Sequence, residues 1–168
     1  MWPWGHLAFA YLAYLGCRRC GIGRSGSLGA VGMVAIGSQA PDLVDKPLAW
    51  YLGVLASGRS LSHSLLVLLP LCAVAIAVAD RIGRRDLAFG FAVGVLSHVF
   101  ADAVPAASGS SDPGFLAWPV TAVSGGRESS PSLSTMLVRD LREPAFYGEV
   151  GMVAVAILVY RSRRGHSA

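Results

Sequence analysis

The stretch GVLSHVFADAVPAASGSSDPGFLAWP, from Gly94 to Pro119, places a histidine and a carboxylate four residues apart inside an apolar helix pattern. On a helix, positions i and i+4 lie on one face, so the side chains of His98 and Asp102 can reach a single cation. Ionisable groups are costly in an apolar segment and usually mark a functional site. The sequence therefore predicts a site here, with its partners supplied by other parts of the chain.

The composition favours a membrane protein. Apolar residues make up 54% of the 168 residues and charged residues only 14%, whereas an ordinary soluble domain has roughly 25% charged residues. The length suits one domain, and we predict a single membrane-embedded unit over residues 1–168. The net charge is +4, yet no basic run with interleaved aromatics indicates a nucleic-acid partner. We therefore expect the lipid bilayer as a partner and no nucleic acid.

The fold class predicted from the pattern is all-α, an integral membrane bundle of about five hydrophobic helices with a long outer-side loop segment. Its five apolar stretches are Trp2–Gly16, Gly26–Ala40 (stopped by Pro41 and Asp42), Leu61–Ala79, Leu87–Val104 and Ala145–Tyr160. The third stretch can span a bilayer at about 1.5 Å per residue, but the first two are short for about 30 Å. Three crossings therefore stay open beside five. The loop segment covers 105–144, and a basic tail covers 161–168.

The arginines predict an orientation. If all five stretches cross, nine of the fourteen basic residues fall on one side: Arg18, Arg19, Arg24, Arg81, Arg84, Arg85, Arg161, Arg163 and Arg164. The positive-inside rule makes that side cytoplasmic, which predicts a multi-pass cell-membrane protein with its N-terminus outside and its C-terminus in the cytoplasm. All four tryptophans then lie at the outer end, where interfacial aromatics are expected. In the fourth stretch, the Gly90-x-x-x-Gly94 spacing favours close helix packing.

This topology also brings imidazoles and carboxylates from four segments to the outer membrane face. The metal-ligand candidates are His6, Asp42, His63, His98 and Asp102. Imidazole with carboxylate is a ligand set for zinc, or for manganese or iron where carboxylates dominate. The set exceeds one tetrahedral zinc, so either two ions bind or some residues orient ligands or act as a base. A divalent metal, Zn²⁺ by preference, lowers the pKa of bound water toward ~7, which is hydrolytic chemistry.

Two further residues are candidates for catalytic roles. Asp45 could orient a ligand, act as a base or cap the chain. Arg59 could clamp an anionic group such as a phosphate, or be a solvated loop charge. Glu149 could join the site or pair with an arginine. The serines beside the histidines fit hydrogen-bond partners better than nucleophiles, because no base-and-orienter triad accompanies them.

The ligand candidates have structural alternatives as well. His6 could be an interfacial ring, and Asp42 after Pro41 could form a turn. His63 could simply begin a helix. His98 and Asp102 could form a hydrogen-bonded structural pair.

Short motifs in order along the chain resemble those of a known family. They are GHLA (5–8), PDLVD (41–45), RSLSHS (59–64), LSHVFADA (96–103) and LAWP (116–119), and they cover about residues 5–120. This set resembles the YdjM-like membrane-bound metal-dependent hydrolases, also catalogued as a domain of unknown function. The resemblance implies an integral membrane, helical, zinc-dependent hydrolase. A looser similarity is to the histidine and aspartate pattern of zinc-dependent phospholipases C.

We therefore expect a membrane-bound hydrolase of an ester or phosphoester, with a small-molecule or lipid-linked substrate suggested by a site at headgroup depth. The loop segment, with the apolar residues Phe115 to Trp118, could cover the site as a lid. A transporter or proton relay is an alternative, but it needs an ionisable path to the inner side that the third and fourth stretches do not offer. A third alternative is a non-catalytic scaffold stabilised by a metal.

Overall fold

The computed structural model describes residues 1–23, 26–107, 112–123 and 132–165, and throughout these residues the regular structure is helical. The helices are α1 (Pro3–Arg19), α2 (Leu28–Trp50), α3 (Leu65–Arg81), α4 (Arg85–Ala107), α5 (Leu133–Asp140) and α6 (Pro144–Gly165). Two 3₁₀ turns, Leu61–His63 and Pro113–Ala117, precede α3 and follow α4. The predicted all-α class is confirmed. Arg24, the Arg164 side chain, and parts of the predicted loop and basic tail (108–111, 124–131, 166–168) lie outside the described residues.

The second helix is longer than the sequence predicted. We expected it to stop at Pro41, but α2 continues through Pro41 and Pro47 to Trp50. A proline inside a helix removes one backbone hydrogen bond and disfavours the helix, so other contacts must support the last turns. Lys46 Nζ contacts Asp42 Oδ2 at 2.5 Å along the same helix, and Asp45 is fully buried against the following loop. Tertiary contacts therefore override the local preference at Pro41.

Helices α2 and α4 approach each other so closely that glycine is required between them. A Cβ atom added at Gly90 would lie 2.4 Å from the carbonyl oxygen of Ala30, and one added at Gly94 would lie 2.4 Å from that of Val34. Both contacts are with backbone atoms, which cannot move aside independently. The close packing predicted from the Gly90-x-x-x-Gly94 spacing is confirmed.

The same face of α4 carries the site. Gly90, Gly94, His98 and Asp102 follow one another at intervals of four residues, so they form one stripe along the helix. The two glycines bring the α2 backbone close, and the next two positions of the stripe then point at the C-terminal half of α2. The glycines that allow close packing and the two candidate ligands therefore lie on one face of α4.

The arginine-rich turns and the histidine candidates lie at different ends of the bundle. The hydroxyl of Ser27 donates to Asp86 Oδ2 at 2.8 Å, which joins the beginning of α2 to the beginning of α4. The Arg18 guanidinium lies over Gly26 in the turn between α1 and α2. The α1–α2 and α3–α4 turns therefore meet at one end of the bundle. The ligand candidates lie at the opposite end.

Two of the described helices are long and apolar enough to cross a membrane. They are the Arg85–Val104 part of α4, with mean hydropathy 1.8, and the Pro144–Arg163 part of α6, with mean hydropathy 1.3. Half of the first segment is buried inside the protein, but only 11% of the second is. Helices α1 and α3 have 17 residues each, which at 1.5 Å per residue gives about 25 Å.

Candidate metal centre

Histidine and aspartate side chains from four elements converge at one end of the bundle. They form two groups, His6 with His98 and Asp102, and Asp42 with His63 and His98. Within each group, one potential ligand atom per residue lies within 4.8 Å of the others. Helices α1, α2 and α4 and the 3₁₀ turn before α3 supply the residues. The structure thus brings all five ligand candidates together.

Two of the imidazoles each lie near the same two carboxylates. His63 Nε2 lies 3.7 Å from both Asp42 Oδ1 and Asp102 Oδ2. His98 Nε2 lies 3.7 Å and 4.0 Å from the same two oxygens. Zinc with bonds of about 2.0–2.1 Å to four ligands separates those ligands by about 3.3–3.4 Å. These four histidine-to-carboxylate distances exceed those around a bound zinc by a few tenths of an ångström, which brings each imidazole close to both carboxylates.

Four donor atoms at this end of the bundle have no hydrogen-bond partner. They are His6 Nδ1, Asp42 Oδ1, His63 Nε2 and His98 Nε2, and among the described residues only Trp50 Nε1 is a further buried side-chain atom in that state. Each unsatisfied buried polar group costs about 1–3 kcal/mol. Such atoms are rarely tolerated singly, so their concentration in one place fits donors that bind a cation.

The His63 ring is oriented by Asp45. Asp45 is fully buried, and its carboxylate accepts hydrogen bonds from the backbone N–H of Ser60 at 2.8 Å and of Ser62 at 2.9 Å. It also lies 2.9 Å from His63 Nδ1. An ionised carboxylate can only accept, so Nδ1 carries the proton and the Nε2 lone pair faces the other donors. A metal-binding histidine usually has this carboxylate partner.

His98 is oriented by the backbone of α2. Its Nδ1 donates to the carbonyl oxygen of Ser38 at 2.6 Å, which leaves Nε2 as the one atom of the ring that can bind an ion. Because both groups need that same atom, they cannot each hold a separate ion through His98. The two groups therefore share His98 and form one candidate centre.

The two carboxylates are held by basic side chains. Lys46 Nζ lies 2.5 Å from Asp42 Oδ2, so Asp42 Oδ1 is the oxygen that faces the histidines. Arg59 Nε donates to Asp102 Oδ2 at 2.8 Å, and the other oxygen of Asp102 lies 3.5 Å from His6 Nε2. These contacts fix the orientation of each carboxylate before any ion binds.

The chain matches one known protein family over almost its whole length. The sequence pattern of the YdjM inner membrane protein family matches residues 1–164. The chain belongs to the YdjM family. The resemblance to YdjM-like proteins is therefore confirmed, together with a membrane protein at the coarse level, whereas the family description names no hydrolase and no phospholipase C. No curated protein and no solved structure matches the chain significantly.

Three serines beside the histidines of this YdjM protein donate hydrogen bonds from their hydroxyls. The hydroxyl of Ser60 donates to Ser57 O at 3.0 Å, and that of Ser97 donates to Gly94 O at 2.8 Å. The hydroxyl of Ser64 donates to Trp118 O at 2.5 Å. Each hydroxyl is bound to a backbone carbonyl and not to a base, so the geometry favours the interpretation as structural partners.

His6 and Phe115 close the site from two sides. His6 is 1% exposed, and its ring stacks on that of His98 with centroids 3.8 Å apart. Phe115, in the apolar part of the predicted lid, is buried against Val95 and Val99. Its ring meets the His63 ring edge-on at 6.1 Å. The apolar residues Phe115 to Trp118 of the loop segment, called the apolar island below, therefore cover one wall of the site in the YdjM fold.

Glu149 belongs to neither group. Its Oε1 accepts a hydrogen bond from the backbone N–H of Trp2 at 2.8 Å, at the beginning of α1. A Cβ atom added at Gly5 would lie 2.1 Å from the same oxygen, so the carboxylate packs directly on the first turn. Glu149 therefore neither joins the candidate site nor pairs with an arginine among the described residues. It caps the beginning of α1 instead.

Two groups that orient candidate ligands were not predicted from the sequence. The Ser38 carbonyl is a backbone group and leaves no signal in the sequence. Lys46 could have been found, because it lies four residues after Asp42 on a helix and such pairs interact.

Proposed function

We propose that this YdjM protein is a membrane-embedded, metal-dependent hydrolase that cleaves an ester or phosphoester at the outer membrane face. The observation that carries the proposal is the set of four buried donor atoms without partners, two of them on rings whose other nitrogen is already fixed. A hydrogen-bonded structural cluster would have paired these atoms with one another.

The donor set suits one divalent ion, with Zn²⁺ preferred and Mn²⁺ or Fe²⁺ as alternatives. His63, His98, Asp42 and Asp102 would hold it, and His6 would complete the set from the side of α1. When bound, such an ion supplies a Lewis acid and a water of lowered pKa. Asp45 acts as a positioning residue, because both of its oxygens are already occupied as hydrogen-bond acceptors.

Arg59 is the candidate for binding the anionic part of a substrate. Its Nε is anchored on Asp102, yet 40% of its side chain is exposed. The outer N–H groups of the guanidinium can therefore donate to a phosphoryl oxygen beside the metal ligands. This arrangement favours a phosphoester over a neutral ester.

Three features support five membrane crossings with the site at the outer face. The family is one of inner membrane proteins, and the arginine-rich turns lie at the end opposite the histidines. Helix α3 exposes apolar side chains, with Leu69 at 51% and Val74 at 60%, which suits contact with lipid. Helices of about 25 Å such as α1 and α3 would cross where the bilayer thins around the protein.

The proposal is tested by hydrolysis assays on the detergent-purified full chain. Bis(p-nitrophenyl) phosphate and p-nitrophenyl acetate serve as probes for the parent, His98→Ala and Arg59→Lys. We expect phosphodiester hydrolysis that is lost on chelation, returns with Zn²⁺ and falls at least 100-fold in His98→Ala. Arg59→Lys should lower phosphodiester hydrolysis more than ester hydrolysis, because lysine lacks the planar fork.

Hydrolysis that survives both chelation and His98→Ala would overturn the proposal. Metal binding without hydrolysis would identify a scaffold, and ion flux into vesicles would identify a transporter.

A further inference from the structure

An apolar groove lies on the side of α1 that faces away from the metal centre. Helix α6 packs mainly on α1, so a space of about 310 Å³ opens between α6 and α2. Its lining is almost wholly apolar and includes Leu7, Ala8, Val34, Val153, Ala156 and Ile157. His6, on the opposite face of α1, does not line it.

A basic depression lies at the arginine-rich end of the same three helices. Arg18 and Arg19 from α1 and Arg163 from α6 line it, and the described lining residues include no acidic side chain. Three guanidinium groups from two helices around one depression make a site for an anion, since arginine recognises phosphate through paired N–H donors.

The groove and the depression are continuous. Tyr11, Val31 and Tyr160 line both of them. The two tyrosine rings meet edge-on, with centroids 6.0 Å apart, at the junction between the apolar and the charged part. Tyrosine is the residue type expected at the boundary between hydrocarbon and headgroups.

We propose that this composite site binds one anionic phospholipid, with the phosphate at the arginines and an acyl chain in the groove. The inference uses the membership in a membrane family and does not depend on the metal centre. Basic pockets between membrane helices are suited to anionic headgroups. A free phosphate would occupy only the depression, whereas a phospholipid satisfies the charged part and the apolar part together.

The test measures lipid binding to the full-length protein in detergent, by native mass spectrometry with dioleoyl phosphatidylglycerol and dioleoyl phosphatidylcholine. The parent should prefer phosphatidylglycerol at least tenfold. Arg18→Gln combined with Arg163→Gln should lower its affinity about 25-fold, since each arginine contributes roughly a fivefold gain in affinity. The matched control combines Arg81→Gln with Arg84→Gln, which removes the same charge at the same end outside the depression, and should change the affinity less than threefold.

A second variant and a competitor test the apolar part. Ala156→Phe fills part of the groove. If the ring displaces about two methylenes of the acyl chain, phosphatidylglycerol binding should weaken about 15-fold, because each methylene lost from apolar contact costs about fourfold in affinity. Glycerophosphoglycerol, which has the headgroup but no acyl chains, should compete poorly. If both arginine double variants lose the same affinity for phosphatidylglycerol, the preference comes from surface charge alone, and the proposal is overturned. Equal competition by glycerophosphoglycerol would overturn it too, by assigning a site for a phosphate group alone.

Discussion

Gly94→Ala is expected to separate α2 from α4 and so disturb the metal centre from a distance. The added Cβ would lie 2.4 Å from Val34 O, whereas ordinary contact begins at 3.4 Å, so the helices must part by about 1 Å. The bond from His98 Nδ1 to Ser38 O, now 2.6 Å long, would then stretch to about 3.6 Å, which is no longer a hydrogen bond.

The magnitude follows from three contributions. Overpacking costs about 1–3 kcal/mol, and the lost hydrogen bond costs about 1 kcal/mol. Alanine in place of glycine returns about 1 kcal/mol of helix propensity. Gly94→Ala should therefore lower the free energy of unfolding by about 1–3 kcal/mol.

Gly32→Ala is the matched control, because Gly32 lies inside α2 and an added Cβ there meets nothing within 4 Å. It should raise the free energy of unfolding by up to about 1 kcal/mol through helix propensity alone. Unfolding by SDS in mixed micelles measures both variants, and chelator competition measures their zinc affinity. We expect zinc affinity to fall about 10–100-fold in Gly94→Ala only, because His98 loses its orienting partner. If the two variants behave alike in both assays, the close contact at Gly94 does not support the metal centre.

Three further predictions concern separate parts of the protein. Asp45→Asn removes the charge that orients His63 and should lower zinc affinity about 10–100-fold, measured by chelator competition; an unchanged affinity would contradict the positioning role. Phe115→Ala should lower the free energy of unfolding by about 3–5 kcal/mol, measured by SDS titration, and a change below about 1 kcal/mol would show that the island does not cover the site. In single-cysteine variants in intact cells, a membrane-impermeant maleimide should label Leu52→Cys, which is at the site end, and not Cys20, which is beside Arg19; the reverse would invert the topology.

The sequence could predict the parts of this molecule that rest on local spacing. His98 and Asp102 at i and i+4 indicated one face of a helix, and Gly90-x-x-x-Gly94 indicated the close packing beside them. The arrangement of arginines at alternate chain turns indicated which helix ends meet. Each of these patterns consists of residue types that are uncommon in apolar helices or at their ends unless they serve a particular purpose.

The remaining features depend on tertiary contacts. Pro41 predicted the end of a helix, yet the contacts of Asp45 with the next loop carry α2 three turns further. The partner of His98 is the Ser38 carbonyl, and every residue has such a group, so nothing distinguishes it in a sequence. The role of Glu149 stayed open between the site and an arginine, because position along a helix does not say which way a side chain points. Such features become visible only when the helices are packed together.

The metal content of the detergent-purified protein, compared among the parent, His63→Ala and His98→Ala, shows whether these side chains hold an ion. We expect close to one equivalent of a divalent metal in the parent and a loss of most of it in both variants. Each variant removes a buried donor that faces the same point from a different element. The same metal content in all three proteins would show that His63 and His98 do not bind the metal.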